Sequence, residues 1–329
     1  MSNSEPHVGV IGAGAWGTAL AMLANRAGSR VTLWTRNTQV IDSISTQREN
    51  AQYLPGQFID PAIAITNDTS FISSCDLLIL TIPAQSLRTV AISLSDLVPA
   101  QLPLILAGKG IERGSLMLMS EVIGSILPHN PYAVLSGPNF AREAAVGLPT
   151  ATTLATHHAN LAEKITFALG GKFFRMYVND DPVGTQIIGS VKNVLAIASG
   201  IVEGRGLGEN ARAALITRGI VEIARLVKAK GGQEETLMGL SGFGDVLLSC
   251  TSRTSRNYRL GIAIGREESM RSSGLTEGVA TAESVTQLAR KLGVAMPIAS
   301  AVHAILGGHV GVDSAIEKLL ERPMGLTEA

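Results

Sequence analysis

The run His7-Val-Gly-Val-Ile-Gly-Ala-Gly-Ala-Trp-Gly17 constrains this chain most. Apolar residues Val8, Val10 and Ile11 pass straight into Gly12, Gly14 and Gly17, and then into Thr18-Ala-Leu-Ala-Met-Leu-Ala24, which reads as a helix. In such a strand–turn–helix the first glycine allows a tight turn, the second lets backbone approach a pyrophosphate, and the third lets the helix lie close on the strand. The phosphates then rest on the helix N-terminus, where unpaired N–H groups and the dipole favour negative charge. A bare GxGxxG is a weak signal. The strand before it and the helix after it make this one a nucleotide site rather than a glycine-rich turn.

The rest of the first half repeats the alternation of strand and helix. Strand-like runs recur at Val8 to Ile11, Val31 to Trp34, Leu77 to Ile82, Leu104 to Leu106, Ala133 to Leu135 and Ala151 to Ala155. Strands separated by helical crossovers imply an α/β fold with a parallel, Rossmann-like doubly wound sheet. Near Asp180-Asp-Pro-Val-Gly184 the β-branched runs stop. The remainder reads as helices broken by turns such as Gly231-Gly232, Gly242-Phe-Gly244 and Gly307-Gly308. The 329 residues are too many for one small core. The expected division is a dinucleotide-binding domain over 1–183 and an all-helical substrate and catalytic domain over 184–329.

Composition excludes several partners. Lys plus Arg equals Asp plus Glu at 27 each, so no global field draws nucleic acid or an anionic membrane, and any anion site is local. Cys75 and Cys250 show neither metal-ligand nor redox spacing and read as reduced thiols of a cytoplasmic protein, with no metal site. With the first strand beginning near residue 7, no secretion signal is expected. The longest apolar stretch, Ile187 to Val202, is 16 residues and contains Lys192 and Asn193. It falls short of the ~20 residues that span a bilayer, which predicts a buried helix and no membrane insertion.

Ligands of doubly wound sheets bind at the carboxyl ends of the strands. After the second strand comes Leu33-Trp-Thr-Arg-Asn37, with no carboxylate to accept from a ribose 2′-hydroxyl. Arg36 can instead pair with a 2′-phosphate, so NADP is preferred over NAD. Lys109 lies between two glycines in Ala107-Gly-Lys-Gly-Ile-Glu112, placed either to contact an anion or simply to meet water. Ser136-Gly-Pro-Asn-Phe-Ala141 supplies another turn at the same edge, where N–H groups and Asn139 can hold a polar substrate.

Lys192 is the only charged residue between Ile187 and Val202, and helical spacing places it on one stripe with Ile188, Leu195 and Ser199. Burial lowers a lysine pKa toward working pH and makes the amine an acid or base. A snorkelling amine or a structural ion pair is the competing explanation. Asp245, closing Gly239-Leu-Ser-Gly-Phe-Gly-Asp245, can orient that lysine or cap a helix. Thr251-Ser-Arg-Thr-Ser-Arg-Asn-Tyr-Arg259 gathers three arginines ahead of a helical segment, which suits a phosphate or a solvated basic turn.

These residues together resemble a known family. Gly12-Ala-Gly-Ala-Trp-Gly17, Leu33-Trp34, Gly108-Lys-Gly-Ile-Glu112, Ser136-Gly-Pro138, Gly147-Leu-Pro-Thr150, Val191-Lys-Asn-Val194, Asn210-Ala-Arg-Ala-Ala-Leu-Ile-Thr-Arg-Gly219, Gly242-Phe-Gly-Asp245 and Ser255-Arg-Asn257 occur in the order found in bacterial-type NAD(P)-dependent glycerol-3-phosphate dehydrogenases. The resemblance covers nearly the whole chain. It implies reversible reduction of dihydroxyacetone phosphate to sn-glycerol 3-phosphate in the cytoplasm, supplying phospholipid synthesis, by a homodimer acting on a small phosphorylated three-carbon substrate.

Carried over by motif, the resemblance makes Lys192 the proton acceptor in oxidation and the donor in reduction. It assigns Lys109, Gly137, Asn139, Lys192, Asp245, Ser255, Arg256 and Asn257 to the substrate. It assigns Gly12, Gly14, Ala15, Trp16, Gly17, Arg36, Lys109, Ala141, Arg256, Leu275 and Glu277 to the cofactor. Asn139 stands where the family often has Ser or Thr, and Leu275 where it often has Val. Two alternatives remain at this stage: a β-hydroxyacid or 6-phosphogluconate-type dehydrogenase, which also joins a Rossmann domain to a helical one, and a regulator that binds NADP without chemistry.

Overall fold

The computed structural model describes residues 5–268 and 277–321. The chain forms two compact units: the first runs to Gly108 and resumes over Met119–Pro182, and the second comprises Lys109–Leu118 and the chain from Val183 onward. A contiguous division at 183/184 does not anticipate the excursion of Lys109–Leu118. Ile111 pairs with Leu118 as an isolated antiparallel bridge, and both side chains bury in the core of the second unit.

In the first unit the strands are β1 (His7–Ile11), β2 (Arg30–Trp34), β3 (Glu49–Asn50), β4 (Leu54–Phe58), β5 (Ala64–Thr66), β6 (Leu77–Leu80), β7 (Leu104–Leu106), β8 (Tyr132–Ser136), β9 (Thr150–Ala155) and β10 (Phe174–Asn179). Its helices are α1 (Ala15–Arg26), α2 (Thr38–Gln47), α3 (Ala84–Leu94), α4 (Met119–Gly124), α5 (Ala141–Val146) and α6 (Ala159–Leu169). Eight strands form one sheet in the order β10-β9-β8-β7-β6-β1-β2-β5, and β3 and β4 form a separate antiparallel pair. β1 is buried along its whole length, as a strand covered on both faces must be. The chain builds outward from β1 through β2 to β5 and then restarts on the other side at β6. The glycine turn after β1 therefore lies at the topological switch point, where doubly wound sheets bind ligands.

The sheet is doubly wound as expected, but it is not wholly parallel. β8 and β9 run antiparallel, with Leu135 opposite Leu154, while β9 and β10 are parallel to each other. The connection explains the reversal. α5 has only six residues, about 9 Å of helix, and it ends at Gly147 with φ +82°. So short a helix does not carry the chain back to the starting edge of the sheet, and β9 begins where β8 ended.

The second unit is helical: α7 (Pro182–Gly204), α8 (Glu209–Ala229), α9 (Asp245–Thr251), α10 (Arg256–Gly265), α11 (Glu277–Lys291), α12 (Pro297–Leu306) and α13 (Val312–Leu320). α7 extends the 16-residue apolar run to 23 residues, long and apolar enough to cross a membrane, yet 89% of its apolar window is buried by its own protein. It is the central core helix of this unit. α10 packs on α7 through glycines: a Cβ at Gly200 would stand 2.1 Å from the Tyr258 carbonyl oxygen, and one at Gly261 would stand 2.1 Å from that of Ile197. Backbone contact this close holds α10 directly against α7.

Candidate active site

In the first unit the glycine turn has the form a pyrophosphate needs. Gly12 has φ +112°, and a Cβ at Gly17 would fall 1.9 Å from the Gly12 carbonyl oxygen. At Gly14 no atom stands within 4 Å of an added Cβ. Backbone is thus exposed there for a ligand, and α1 begins with no side-chain cap on its first N–H groups. These features fit a dinucleotide phosphate bridge. Ala15 and Trp16 lie half-buried in the first turn of α1, and Ala141 is the first residue of α5.

Arg36 is exposed just beyond β2, beside Asn37, whose side chain caps α2 by accepting from the Gln39 N–H at 3.0 Å. Asn139 accounts for part of its own hydrogen-bonding capacity internally: Nδ2 donates to the Ala151 carbonyl at 2.9 Å and ties the turn after β8 to β9. A Cβ at Gly137 would stand 3.0 Å from the Thr152 Cα, so the same turn needs glycine for its packing.

The second unit gathers the charged groups. Lys192, 7% exposed, points from α7 and donates to Asp245 Oδ1 and, at 2.9 Å, to Ser249 Oγ. Lys109 donates to the other carboxylate oxygen, Oδ2, at 2.6 Å. Asp245 is 1% exposed and opens α9, where the helix dipole favours a carboxylate. Each of its carboxylate oxygens accepts from a lysine, so the lysine pair is its partner.

Local backbone sets this arrangement. The wide turn Leu240–Gly244, closed by a bond from the Gly244 N–H to the Gly239 carbonyl at 3.3 Å, delivers Asp245, and Ser199 Oγ donates to the Cys250 carbonyl at 2.7 Å to pin α9 on α7. Burial pulls the Lys192 pKa down to about 8, against the attraction of Asp245 and with help from the Lys109 charge. Two ammoniums share one carboxylate, which leaves the cluster net positive and suited to stabilise a developing oxyanion.

A second polar chain runs beside it. Asn257 Nδ2 donates to Asn193 Oδ1 at 3.0 Å, and Asn257 Oδ1 accepts from the Gly278 N–H at 3.2 Å. Ser255 caps α10 by accepting from the Tyr258 N–H, and Arg256 is the first helical residue, exposed. The Glu277 carboxyl is pushed upward by burial, opposed by Arg256, Lys109 and Lys192. Leu275 lies outside the described residues.

Sequence reasoning missed Ser249 and Asn193. Ser249 stands four residues after Asp245, one turn along the same helix face, and that spacing was the available signal. Asn193 follows Lys192 directly but carried no sign of its pairing with Asn257. Cys75 and Cys250 are free and buried, with both thiols pushed up to about 12 by burial. Among the described residues there is no His, Cys, Asp or Glu cluster that could hold a metal ion.

Comparison with known proteins decides the family. Models of the NAD-dependent glycerol-3-phosphate dehydrogenase N-terminus and C-terminus match residues 7–162 and 181–317. The chain belongs to the NAD-dependent glycerol-3-phosphate dehydrogenase family. It is 49% identical to the glycerol-3-phosphate dehydrogenase [NAD(P)+] of Rhodospirillum rubrum, covering 98% of this chain and 95% of that one. It is 48% identical to that of Caulobacter vibrioides, covering 96% and 97%. The crystal structure of glycerol-3-phosphate dehydrogenase from Coxiella burnetii superposes with a TM-score of 0.93 at 37% identity, over 97% of this chain and 99% of that one. Membership in this dehydrogenase family displaces both the hydroxyacid and the regulator alternatives.

Proposed function

We propose that this chain interconverts dihydroxyacetone phosphate and sn-glycerol 3-phosphate with NAD(P) as cofactor, with Lys192 as the proton-transferring group. The observation that carries the reading is the buried ammonium of Lys192, held by Asp245 with Lys109 on the second carboxylate oxygen.

In the reducing direction the Lys192 ammonium gives its proton to the C2 oxygen of the ketone as that oxygen gains negative charge. Lysine is left neutral, still held in place by its hydrogen bonds to Asp245 and Ser249. Lys109 holds positive potential beside the same oxygen, so charge development is stabilised by groups already oriented before reaction. In oxidation the neutral amine takes the proton back. Bound nicotinamide supplies or receives the hydride at C2. The start of α10, with the Ser255 cap, Arg256 and Asn257, presents donors and positive charge to the substrate phosphate and so fixes the carbonyl.

Arg36, with no carboxylate beside it in Thr35-Arg-Asn37, favours NADPH over NADH. The reading extends to a cytoplasmic homodimer that supplies glycerol 3-phosphate for phospholipid synthesis, supported by the family resemblance; light scattering at twice the chain mass tests the dimer. Steady-state kinetics with dihydroxyacetone phosphate and each reduced cofactor in parallel test the activity. Substrate-dependent oxidation of the cofactor, with higher kcat/KM for NADPH, is expected. Its absence at every pH overturns the reading.

A further inference from the structure

Asn50 sits on the two-residue strand β3, is fully buried, and spends its side chain on the glycine turn. Nδ2 donates to the Ala13 carbonyl at 2.9 Å and to Thr18 Oγ1 at 2.8 Å, while Oδ1 accepts from the Tyr53 N–H at 3.2 Å. A carbonyl on one side and an N–H on the other fix which end of the amide is nitrogen. The strand is itself held. Arg48 donates to the carbonyls of Ile59 at 3.0 Å and Ile63 at 3.2 Å, and Ser43 Oγ donates to the Glu49 carbonyl at 2.6 Å.

The peptide plane turns this contact into a function. A trans peptide directs its N–H opposite to its carbonyl. Drawing the Ala13 carbonyl inward onto Asn50 therefore aims the Gly14 N–H outward, on the residue whose Cα faces open space. Thr81 Oγ1, 2.7 Å from the Gly12 carbonyl, does the same for the preceding plane and aims the Ala13 N–H. Neither the Ala13 nor the Gly14 amide donates to a protein acceptor among the described residues. Successive outward amides form an anion-binding concavity.

We infer that Asn50 is a positioning residue for the cofactor pyrophosphate: its amide anchors the Ala13 carbonyl from behind and so presents the Gly14 N–H to a phosphate oxygen. The inference rests on the glycine turn being the phosphate cradle of the cofactor. Asn50 is fully buried and acts through the backbone it holds. Its effect belongs to diphosphate-containing ligands and not to substrate.

The test is titration of the full-length protein, without substrate, with NADPH and with adenosine 2′-monophosphate, which lacks the pyrophosphate. Asn50→Ala removes the anchor, and Asn50→Asp keeps its size while replacing the donor by an acceptor that repels the Ala13 carbonyl. Both are expected to weaken NADPH roughly tenfold or more, the loss of a hydrogen bond to a charged group, and to leave adenosine 2′-monophosphate within about twofold. The KM for reduced cofactor rises while the KM for dihydroxyacetone phosphate stays. Thr18→Val, which removes the other acceptor and leaves Ala13 anchored, keeps NADPH affinity within about twofold.

Equal weakening of both ligands, or unchanged NADPH affinity in Asn50→Asp, overturns the inference. A wild-type protein that binds no NADPH would instead overturn the cradle on which it rests. If Asn50→Ala does not fold, the isosteric Asn50→Asp alone decides.

Discussion

Lys192 and Asp245 form a direct ion pair between the core helix α7 and the first turn of α9, each almost wholly withdrawn from water. Pairing and burial act in opposite directions on the amine. Burial disfavours the ammonium, the carboxylate favours it, and burial is the larger. The result is an amine that can change protonation state within the working range of an enzyme, which a solvated lysine cannot do. Lys192→Ala is therefore expected to lower kcat by roughly a hundred- to ten-thousand-fold. NADPH affinity should stay close to wild type, because the glycine turn is built in the other unit. Calorimetric titration beside steady-state kinetics checks both halves, and retention of substantial turnover would remove Lys192 from the mechanism.

In the proposed mechanism the same amine sets the pH dependence. Reduction needs the ammonium, so its rate falls as pH rises through about 8, while oxidation needs the neutral amine and gains over the same interval. Removing the carboxylate charge takes away the chief force that holds the proton on. Asp245→Asn should thus move the alkaline limb of the reduction profile to lower pH, and it also leaves two neighbouring ammoniums without their counter-charge, which lowers Tm. Profiles of kcat against pH in both directions measure this. A limb that moves upward in Asp245→Asn contradicts the assignment.

Much of this was legible in the chain itself, for a physical reason. β1 and β6 are buried along their whole length and β2 everywhere except Arg30, and the apolar run of β1 that ends in glycine has few other fates. β3 and β5, of two and three residues, are too short to carry a period, and β10 lies at the sheet edge with consecutive Tyr177 and Val178 both exposed, so no alternation marks it. Direction was the other blind spot, since the reversal at β9 depends on how far α5 reaches rather than on the residues of β9.

At the site, Lys192 stood out because a charge interrupts an apolar helix. Asp245 was legible as a candidate but not as a choice between cap and ion pair, which depends on a lysine 53 positions away. Asn50 was invisible because one buried asparagine in a polar stretch looks like any turn residue.

The approach of α10 to α7 predicts a loss that no side-chain contact would suggest. Gly200→Ala or Gly261→Ala puts a methyl group 2.1 Å from a helix carbonyl oxygen, so the helices must separate. The cost expected for overpacking is about 1–3 kcal/mol. Because α10 starts with Arg256 and Asn257, the KM for dihydroxyacetone phosphate should rise with it. Gly124→Ala, at the end of α4 where an added Cβ meets nothing within 4 Å, serves as the neutral control. Thermal unfolding and substrate kinetics on the three variants check this; a Gly200→Ala protein as stable as Gly124→Ala would contradict the close packing.

A pH effect on stability separate from catalysis comes from His7. Its ring is buried at the start of β1, with Nδ1 3.0 Å from the Ser74 carbonyl and 2.7 Å from the Arg30 guanidinium, and Nε2 2.9 Å from Thr32 Oγ1. Asp76 lies nearby, accepting from the His7 backbone N–H at 2.8 Å, and Phe71 stacks at a tilt. Burial lowers the His7 pKa below 6.5 despite the Ser74 carbonyl and Asp76, and Arg30 lowers it further. The unfolded chain consequently takes up this proton before the folded one does. The stability contributed by neutral His7 is fully present above 6.5 and is lost as pH falls below it. Wild-type Tm should drop on going from about pH 7.5 to about pH 5.5 by more than that of His7→Gln, which has no proton to gain. Parallel thermal scans at the two pH values measure the difference, and equal drops would show that the ring is solvated or already charged in the folded protein.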